Sequence, residues 1–258
     1  MSSWFAKRGR HRKRDSSVPT LSSVPAGTVV YAIGDIHGRL DLLQRLEAKI
    51  QHDAAGLGAD RRLIVCLGDY IDRGDNSYGV IEHLLQEPPE SFERVCLTGN
   101  HESYLVRFFD DSTVAAAWLD NGGRETLLSY GVSPPARPDH DGASEALQTE
   151  LLACLPPSHE AFLRTLALSH REGDYLFVHA GIRPGVPLDR QDPHDLIWIR
   201  EEFLNDGRDF GAVVVHGHSI RLEPDNLTNR IGVDTGGYAT GRLTCVVLWG
   251  NERRFLST

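Results

Sequence analysis

Three strand–loop–helix units follow one another in the first half of this 258-residue chain, and they constrain its fold more than any other feature. Each unit begins with a short apolar, β-branched run that ends near a glycine, and continues through a polar loop into a stretch with helical spacing of apolar residues. The runs are TVVYAIG, RRLIVCLGD and RVCLTGN, and the helical stretches are GRLDLLQRLEAKI, NSYGVIEHLLQ and HESYLVRFF. Successive units of this kind predict a sheet with helical crossovers and therefore an α/β fold.

The second half of the chain begins with a change of character. Residues from about 105 to 170 contain helical stretches and no clear strand, and we expect them to form a helical cap inserted over the sheet. Strands resume at DYLFVHAG, AVVVHGH, RIGVD and RLTCVVLWG, of which the last two are typical of a closing antiparallel pair. The predicted organisation is an N-terminal tail at 1–27 and a single domain at 28–252.

Charge is unevenly distributed along the chain. The sequence has 27 basic and 36 acidic residues and a formal net charge of −9, yet residues 1–27 alone carry a charge of +5. The acidic body argues against nucleic acid as the main partner, because phosphate backbones need a basic surface. We interpret the tail as a disordered leader, with contact to an anionic surface as the alternative.

Targeting and cysteine patterns favour a cytoplasmic protein. No apolar run approaches the ~18 residues of a membrane-spanning helix, and the N-terminus lacks the apolar stretch of a secretory signal. The four cysteines are widely spaced and form no CxxC pair, so we expect neither a disulfide nor a thiolate zinc site.

Several predicted strands end in loops whose side chains can bind metal ions. In open α/β sheets, ligands bind beyond the carboxyl ends of the strands, so loops that are far apart in sequence should meet in one crevice. The loops are GDIHG at 34–38, GDYIDRG at 68–74, GNHE at 99–102, HAG at 179–181 and HGH at 216–218.

Each of these loops taken alone has an ordinary structural explanation. Asp35 can cap the following helix, and Asp72 with Arg73 can form a surface ion pair. Taken together, the loops offer mixed oxygen and nitrogen ligands for two divalent cations, with one carboxylate able to bridge them. The absence of thiolates disfavours a closed structural zinc site.

The ordered set GDIHG, GDYIDRG, GNHE, HAG and a late GH resembles the PPP-type serine/threonine phosphatases of the metallophosphoesterase superfamily, especially shorter bacterial and phage members such as the lambda phosphatase. The cap sequence WLDNGGRETLLSYG also resembles the bacterial branch. The resemblance implies a metallophosphoesterase-type β-sandwich flanked by helices. It further implies a metal-dependent phosphomonoesterase, here a serine/threonine protein phosphatase, with a phosphoprotein or a phosphorylated small molecule as substrate.

The resemblance also assigns metal ligands. Asp69 would bridge two divalent cations, which we expect to be manganese, with iron and zinc as alternatives. The other ligands would be Asp35 and His37 on the first metal, and Asn100, His179 and His218 on the second. His216 is expected to be structural.

The expected chemistry is attack on phosphorus by a hydroxide held between the two cations. Arg73, Arg200 and Asn100 would bind the phosphate, although Arg200 can instead form an ion pair with Glu201 on a helix surface.

The leaving group needs a proton, and His101 is the expected general acid. Asp72 would orient His101 and favour its protonated form, while Glu102 is expected to support the loop.

Two other functions compete with the phosphatase hypothesis. A dinucleoside polyphosphate or nucleotide hydrolase would use the same chemistry, but the related diadenosine tetraphosphatases typically carry glutamine where this chain has His37. A non-catalytic binding module would be expected to lack ligand residues, and none of the predicted ligands is missing.

Overall fold

The computed structural model describes residues 21–136 and 142–258, which form two facing β-sheets with helices on their outer sides. The strands are β1 (Thr28–Ile33), β2 (Arg61–Cys66), β3 (Phe92–Cys96), β4 (Ser169–Glu172), β5 (Tyr175–Val178), β6 (Val213–His216), β7 (Asp225–Asn226), β8 (Arg230–Gly232), β9 (Thr244–Trp249) and β10 (Glu252–Ser257). The helices are α1 (Leu40–Ala55), α2 (Ser77–Leu85), α3 (Asn100–Asp110), α4 (Ala115–Trp118), α5 (Arg124–Ser129), α6 (Ala143–Cys154), α7 (Pro157–Thr165), α8 (Pro193–Trp198), α9 (Glu201–Leu204) and α10 (Gly237–Thr240).

Each sheet has a parallel centre and at least one antiparallel edge. The first sheet has the order β10-β9-β1-β2-β3, in which β1, β2 and β3 are parallel and β9 and β10 are antiparallel to their neighbours. The second has the order β4-β5-β6-β8-β7, in which β5, β6 and β8 are parallel. The α/β fold and the β-sandwich flanked by helices are therefore confirmed.

The two sheets pack face to face through an apolar core. Val30 and Ala32 of β1 point into this core, where they meet Phe177 of β5 and Val215 of β6. The intervening residues of β1, such as Tyr31, point to the opposite face and pack under the helices. Because the central strands are buried on both faces, their sequences are nearly continuous apolar runs, which is why they were recognisable.

The helices between residues 100 and 165 pack on one another beside the first sheet. Leu105 and Phe108 of α3 share a buried cluster with Trp118, Leu127 and Leu151 of the following helices. Helices α4, α6 and α7 contact α3, and α5 contacts α2. The cap segment therefore rests on α2 and α3, close to the loops that follow β2 and β3. Among the described helices, none has the length and apolar character needed to span a membrane.

The predicted pairing of the last two strands is wrong. The RIGVD strand, β8, lies in the second sheet between β6 and β7, whereas the RLTCVVLWG strand, β9, lies in the first sheet between β1 and β10. The chain crosses from one sheet to the other through residues 233–243. Both strands are apolar, so their composition could not indicate which sheet each would join.

The sequence did not predict three strands, and all three lie at sheet edges. β4 reads SHRE, β7 has two residues, and β10 begins with ERR. Edge strands are partly exposed and often carry charged side chains, which protect the edge from pairing with other molecules. Such strands lack the apolar run that identified the central strands.

Residues 21–27 of the predicted tail pack against the domain. Residues 1–20 lie outside the described residues, but Val24 is buried in the core between the sheets. Its backbone N–H donates to the carbonyl of Gly250 at 3.0 Å, and the N–H of Ser23 donates to the Asp174 carboxylate at 2.9 Å.

We predict that Phe177→Ala lowers the free energy of unfolding by about 3–5 kcal/mol, because it removes a fully buried ring from the core between the sheets. Urea denaturation followed by fluorescence measures this change. The control, Leu222→Ala, alters a side chain that is 81% exposed and should change stability by less than about 0.5 kcal/mol. Similar values for the two variants would contradict the assignment of the core.

Candidate metal centre

The polar loops that follow the strands meet at one end of the two sheets. The loops after β1, β2 and β3 belong to the first sheet, and those after β5 and β6 belong to the second. The predicted ligands that lie there, each no more than 5% exposed, are Asp35, His37, Asp69, Asn100, His179 and His218. The site therefore lies where the ends of both sheets converge.

The backbone of these loops is strained in a way that brings the polar side chains inward. Left-handed φ angles between 45° and 71° are found at His37, Asp69, Asp72, Arg73 and His218. This region is costly for residues with a Cβ and persists only where surrounding contacts enforce it. For example, the N–H groups of Ile36 and His37 both donate to the carbonyl of Asp69, at 3.0 and 2.8 Å.

Glu102 ties the second and third loops together. Its carboxylate accepts hydrogen bonds from the N–H groups of Asp69, Tyr70 and Gly99 at 2.7–2.8 Å. Burial, followed by the charge of Asp69, raises the pKa of Glu102 to about 7, against the opposing effect of these amide donors. These contacts fit the role predicted for Glu102, which is to support the loop.

Asp69 lies between two groups of potential metal ligands. One carboxylate oxygen lies 3.6 Å from Nε2 of His37 and 3.8 Å from Nε2 of His101, and the other lies 3.4 Å from Nε2 of His179. His37, Asp69 and His101 form one group, and Asp69, His179 and His218 form the other. A carboxylate shared by two groups is the arrangement expected of a bridging ligand.

Hydrogen bonds to the backbone orient two of these imidazoles. Nδ1 of His37 lies 2.8 Å from the carbonyl of Ile71, and Nδ1 of His179 lies 2.9 Å from the carbonyl of Leu67. Each ring therefore carries its proton on Nδ1, which leaves the lone pair of Nε2 on the side of the ring that faces the centre.

The second group has the spacing of ligands around one ion. Nε2 of His179 lies 3.0 Å from Oδ1 of Asn100 and 3.2 Å from Nδ1 of His218. Ligands about 2.1 Å from a shared ion in tetrahedral or octahedral geometry lie about 3.0–3.4 Å apart. Asp35 belongs to neither group, and its carboxylate accepts the backbone N–H of His218 at 3.0 and 3.1 Å.

Charge balance at the site also fits bound cations. Burial raises the pKa of Asp35 well above its usual value, with further contributions from the charges of Asp234 and Asp69, and burial likewise raises the pKa of Asp69. Burial lowers the pKa of His37 well below its usual value and that of His218 to about 3, so these imidazoles are neutral. Crowded carboxylates beside neutral imidazoles form a donor set for divalent cations.

His101 differs from the other site histidines in its partner. Nδ1 of His101 lies 2.7 Å from the carboxylate of Asp72, and both side chains are buried. Burial by itself lowers the pKa of His101, but the charges of Asp69 and Asp72 and the hydrogen bond outweigh it, so the pKa lies above its ordinary value.

The two predicted phosphate-binding arginines flank the centre. The guanidinium of Arg73 lies 2.8 Å from Nε2 of His37 and 5.0 Å from the centre of the Tyr238 ring. The guanidinium of Arg200 donates to the carbonyl of His218 at 3.1 Å. This bond directs Arg200 toward the site, while Glu201 accepts a hydrogen bond from Asn205 at 2.9 Å.

His216 lies behind the centre. Nδ1 of its ring lies 3.0 Å from the carbonyl of Gly217, and the ring packs edge-on against Phe203. Burial lowers its pKa to about 4. These contacts fit the structural role predicted for His216.

Sequence reasoning missed Asp234 and Tyr238 at this site. Asp234 follows β8, is 4% exposed, and has a pKa raised to about 6 by burial. The edge of the half-buried Tyr238 ring packs against His37. The signal for Asp234 was present, because RIGVD is another strand that ends in an aspartate.

Known proteins with tetraphosphatase names resemble this chain over most of its length. It is 30% identical over 234 residues to the bis(5'-nucleosyl)-tetraphosphatase PrpE [asymmetrical] of Bacillus thuringiensis (strain Al Hakam), covering 83% of this chain and 88% of that protein. It is 29% identical to the protein of the same name from Bacillus cereus (strain 03BB102), with the same coverage. These relatives do not confirm the predicted resemblance to the phage lambda phosphatase.

Solved structures share the fold. A crystal structure of a protein provisionally named a diadenosine tetraphosphatase has a TM-score of 0.60 and 22% identity, covering 93% of this chain and 96% of that one. The cold-active protein-tyrosine phosphatase of a psychrophilic Shewanella species has a TM-score of 0.55 and 16% identity, covering 95% and 88%. Residues 28–243 match the calcineurin-like phosphoesterase family, and the chain therefore belongs to that family.

Proposed function

We propose that this protein is a metal-dependent hydrolase of dinucleoside polyphosphates, with nucleotides as related substrates. The observation that carries the proposal is the likeness to tetraphosphatases over 83% of the chain, in a protein whose candidate ligands converge on Asp69. A polyphosphate chain presents the phosphoryl oxygens that cations and arginines bind.

The proposed cofactor is a pair of divalent cations, for which we propose manganese. When bound, they supply Lewis-acid charge that activates a water molecule and stabilises phosphoryl oxygens. Asp69 would hold both cations, with Asp35, His37, Asn100, His179 and His218 as the remaining proposed ligands. Asp35 would have to turn from the N–H of His218 to reach an ion beside His37.

Arg73 and Arg200 would bind and orient the substrate phosphates from opposite sides. Arg73 lies beside the His37 group and Arg200 beside His218, so two phosphoryl groups of one chain can each meet a guanidinium. A guanidinium donates two parallel hydrogen bonds to phosphate oxygens, and we propose that Asn100 adds a further contact.

His101 would donate the proton that the leaving oxygen requires. Its Nδ1–H is held by Asp72, which leaves Nε2 directed toward the proposed metal ligand Asp69. The need for this proton depends on the leaving group, because a phosphate leaves more readily than an alkoxide.

A serine/threonine protein phosphatase is the second candidate. It is favoured by His37, which stands where the related diadenosine tetraphosphatases typically carry glutamine. In this structure the Nε2 atom of His37 lies 3.6 Å from Asp69 and 2.8 Å from the guanidinium of Arg73, which would have to move for His37 to bind a metal.

The proposed function is tested by comparing kcat/KM for diadenosine tetraphosphate, p-nitrophenyl phosphate and a phosphoserine peptide in manganese. We expect the tetraphosphate to exceed the peptide by about ten-fold or more, since two arginines and two cations can bind its extended phosphate chain. The reverse ranking would instead support the protein phosphatase.

Asp69→Asn is expected to lower bound metal well below the wild-type content and to lower activity by about 100-fold or more, because the shared carboxylate charge is lost. Plasma mass spectrometry of the purified protein measures the metal directly. Asp75→Asn, which alters an exposed carboxylate in the same loop, is the control. Undiminished metal in Asp69→Asn would exclude the bridging role.

His101→Ala is expected to keep its metal and to lose about 100-fold or more on an alkyl phosphate, with a smaller loss on p-nitrophenyl phosphate, whose leaving group needs little protonation. Steady-state kinetics on both substrates measure the difference, and His52→Ala on the exposed face of α1 is the control. Equal losses on the two substrates would remove His101 from the role of general acid.

A further inference from the structure

The cap segment between Trp118 and Thr126 reaches the carboxylate of Asp72. Nε1–H of Trp118 lies 3.2 and 3.1 Å from the two oxygens of Asp72, and the hydroxyl of Thr126 donates to Oδ1 at 2.6 Å. Asp72, Trp118 and Thr126 are all fully buried. With His101 on Oδ2, the carboxylate of Asp72 therefore receives donors from three side chains.

The hydroxyl of Thr126 also holds the backbone of Asp72. Its oxygen accepts the N–H of Asp72 at 2.9 Å and lies 3.0 Å from the hydroxyl of Ser77. The N–H of Asp72 is shared with Ser77 at 3.1 Å. These bonds fix the main chain of Asp72 at its left-handed φ of 71° and fix its carboxylate at the same time.

Two glycines of the cap allow this close approach. A Cβ atom on Gly123 would lie 2.5–2.7 Å from indole atoms of Trp118. The carbonyl of Gly122 accepts the N–H of Arg73 at 3.1 Å, and a Cβ on Gly122 would lie 2.8 Å from Cγ of Arg73. The cap thus contacts Arg73 through Gly122, and Asp72 through Trp118 and Thr126.

We propose that Trp118 and Thr126 are positioning residues for proton donation by His101. Their hydrogen bonds hold Asp72 in one rotamer, and Asp72 in turn holds the imidazole with Nε2 directed into the site. The inference rests on the general-acid role of His101 in the proposed function, and it makes the cap part of the catalytic apparatus.

The test compares Thr126→Val, which has nearly the same shape but lacks the hydroxyl, with Thr126→Ser, which retains it. Kinetics on aryl phosphates of increasing leaving-group pKa are expected to show a steeper loss for Thr126→Val, about ten-fold greater on phenyl phosphate than on p-nitrophenyl phosphate. Thr126→Ser should restore the wild-type dependence. Thr149→Val is the matched control, because within the described residues its hydroxyl bonds the carbonyl of Glu145 in the cap.

Two further measurements separate positioning from folding. Trp118→Phe keeps a ring against Phe108 but removes the N–H donor, and it makes the same comparison if Thr126→Val does not fold. The NMR resonance of the His101 Nδ1 proton should shift in either variant, because its acceptor is no longer held in place.

Equal losses of Thr126→Val on all aryl phosphates, or an unchanged His101 resonance, would overturn the positioning role. Those results, combined with a leaving-group effect in His101→Ala, would leave the proposed general acid intact. Absence of that effect in His101→Ala would instead remove the general acid itself, and the positioning role with it.

Discussion

The burial of three carboxylates, with their mutual repulsion added to it, is the constraint on which the centre of this protein depends. Asp35, Asp69 and Asp234 are each no more than 4% exposed, and burial raises the pKa of all three. Neutral imidazoles lie beside them, and at Asp69 the charge of His101, followed by that of Arg73, opposes the repulsion. The strained loops, the backbone bonds of Glu102 and the orientation of the histidines all serve to hold this unfavourable arrangement, which divalent cations would relieve.

The parts of the fold with a strong local pattern could be predicted from the sequence. β1, β2, β5 and β6 are apolar because both of their faces are buried, and the loops that follow them carry the predicted ligands. Edge strands such as β10 could not be recognised in this way, because half-exposed positions tolerate charge. The sheet that each late strand joins depends on packing between distant segments.

In the candidate site, too, the residues with a strong local pattern could be predicted and the others could not. Asp69 and His179 were found because glycine-bounded motifs after strands mark a crevice. Trp118 and Thr126 lie 46 and 54 residues from Asp72 in sequence, and nothing in the local pattern of a helical cap distinguishes a side chain that bonds a catalytic loop from one that fills the core. The orientation of Asp35 toward the N–H of His218 likewise depends on the three-dimensional structure.

The candidate metal centre spans both sheets, so its geometry depends on how the two sheets pack against each other. Asp69 and Asn100 are carried by the first sheet, while His179 and His218 are carried by the second. Their separation is fixed by the apolar layer between the sheets and by the bonds of His179 to Leu67 and of His218 to Asp35. A slide of one layer past the other by a fraction of an ångström would change the ligand spacing while leaving each sheet hydrogen-bonded within itself. Looser packing in that layer should therefore weaken binding of the proposed cations before the chain unfolds.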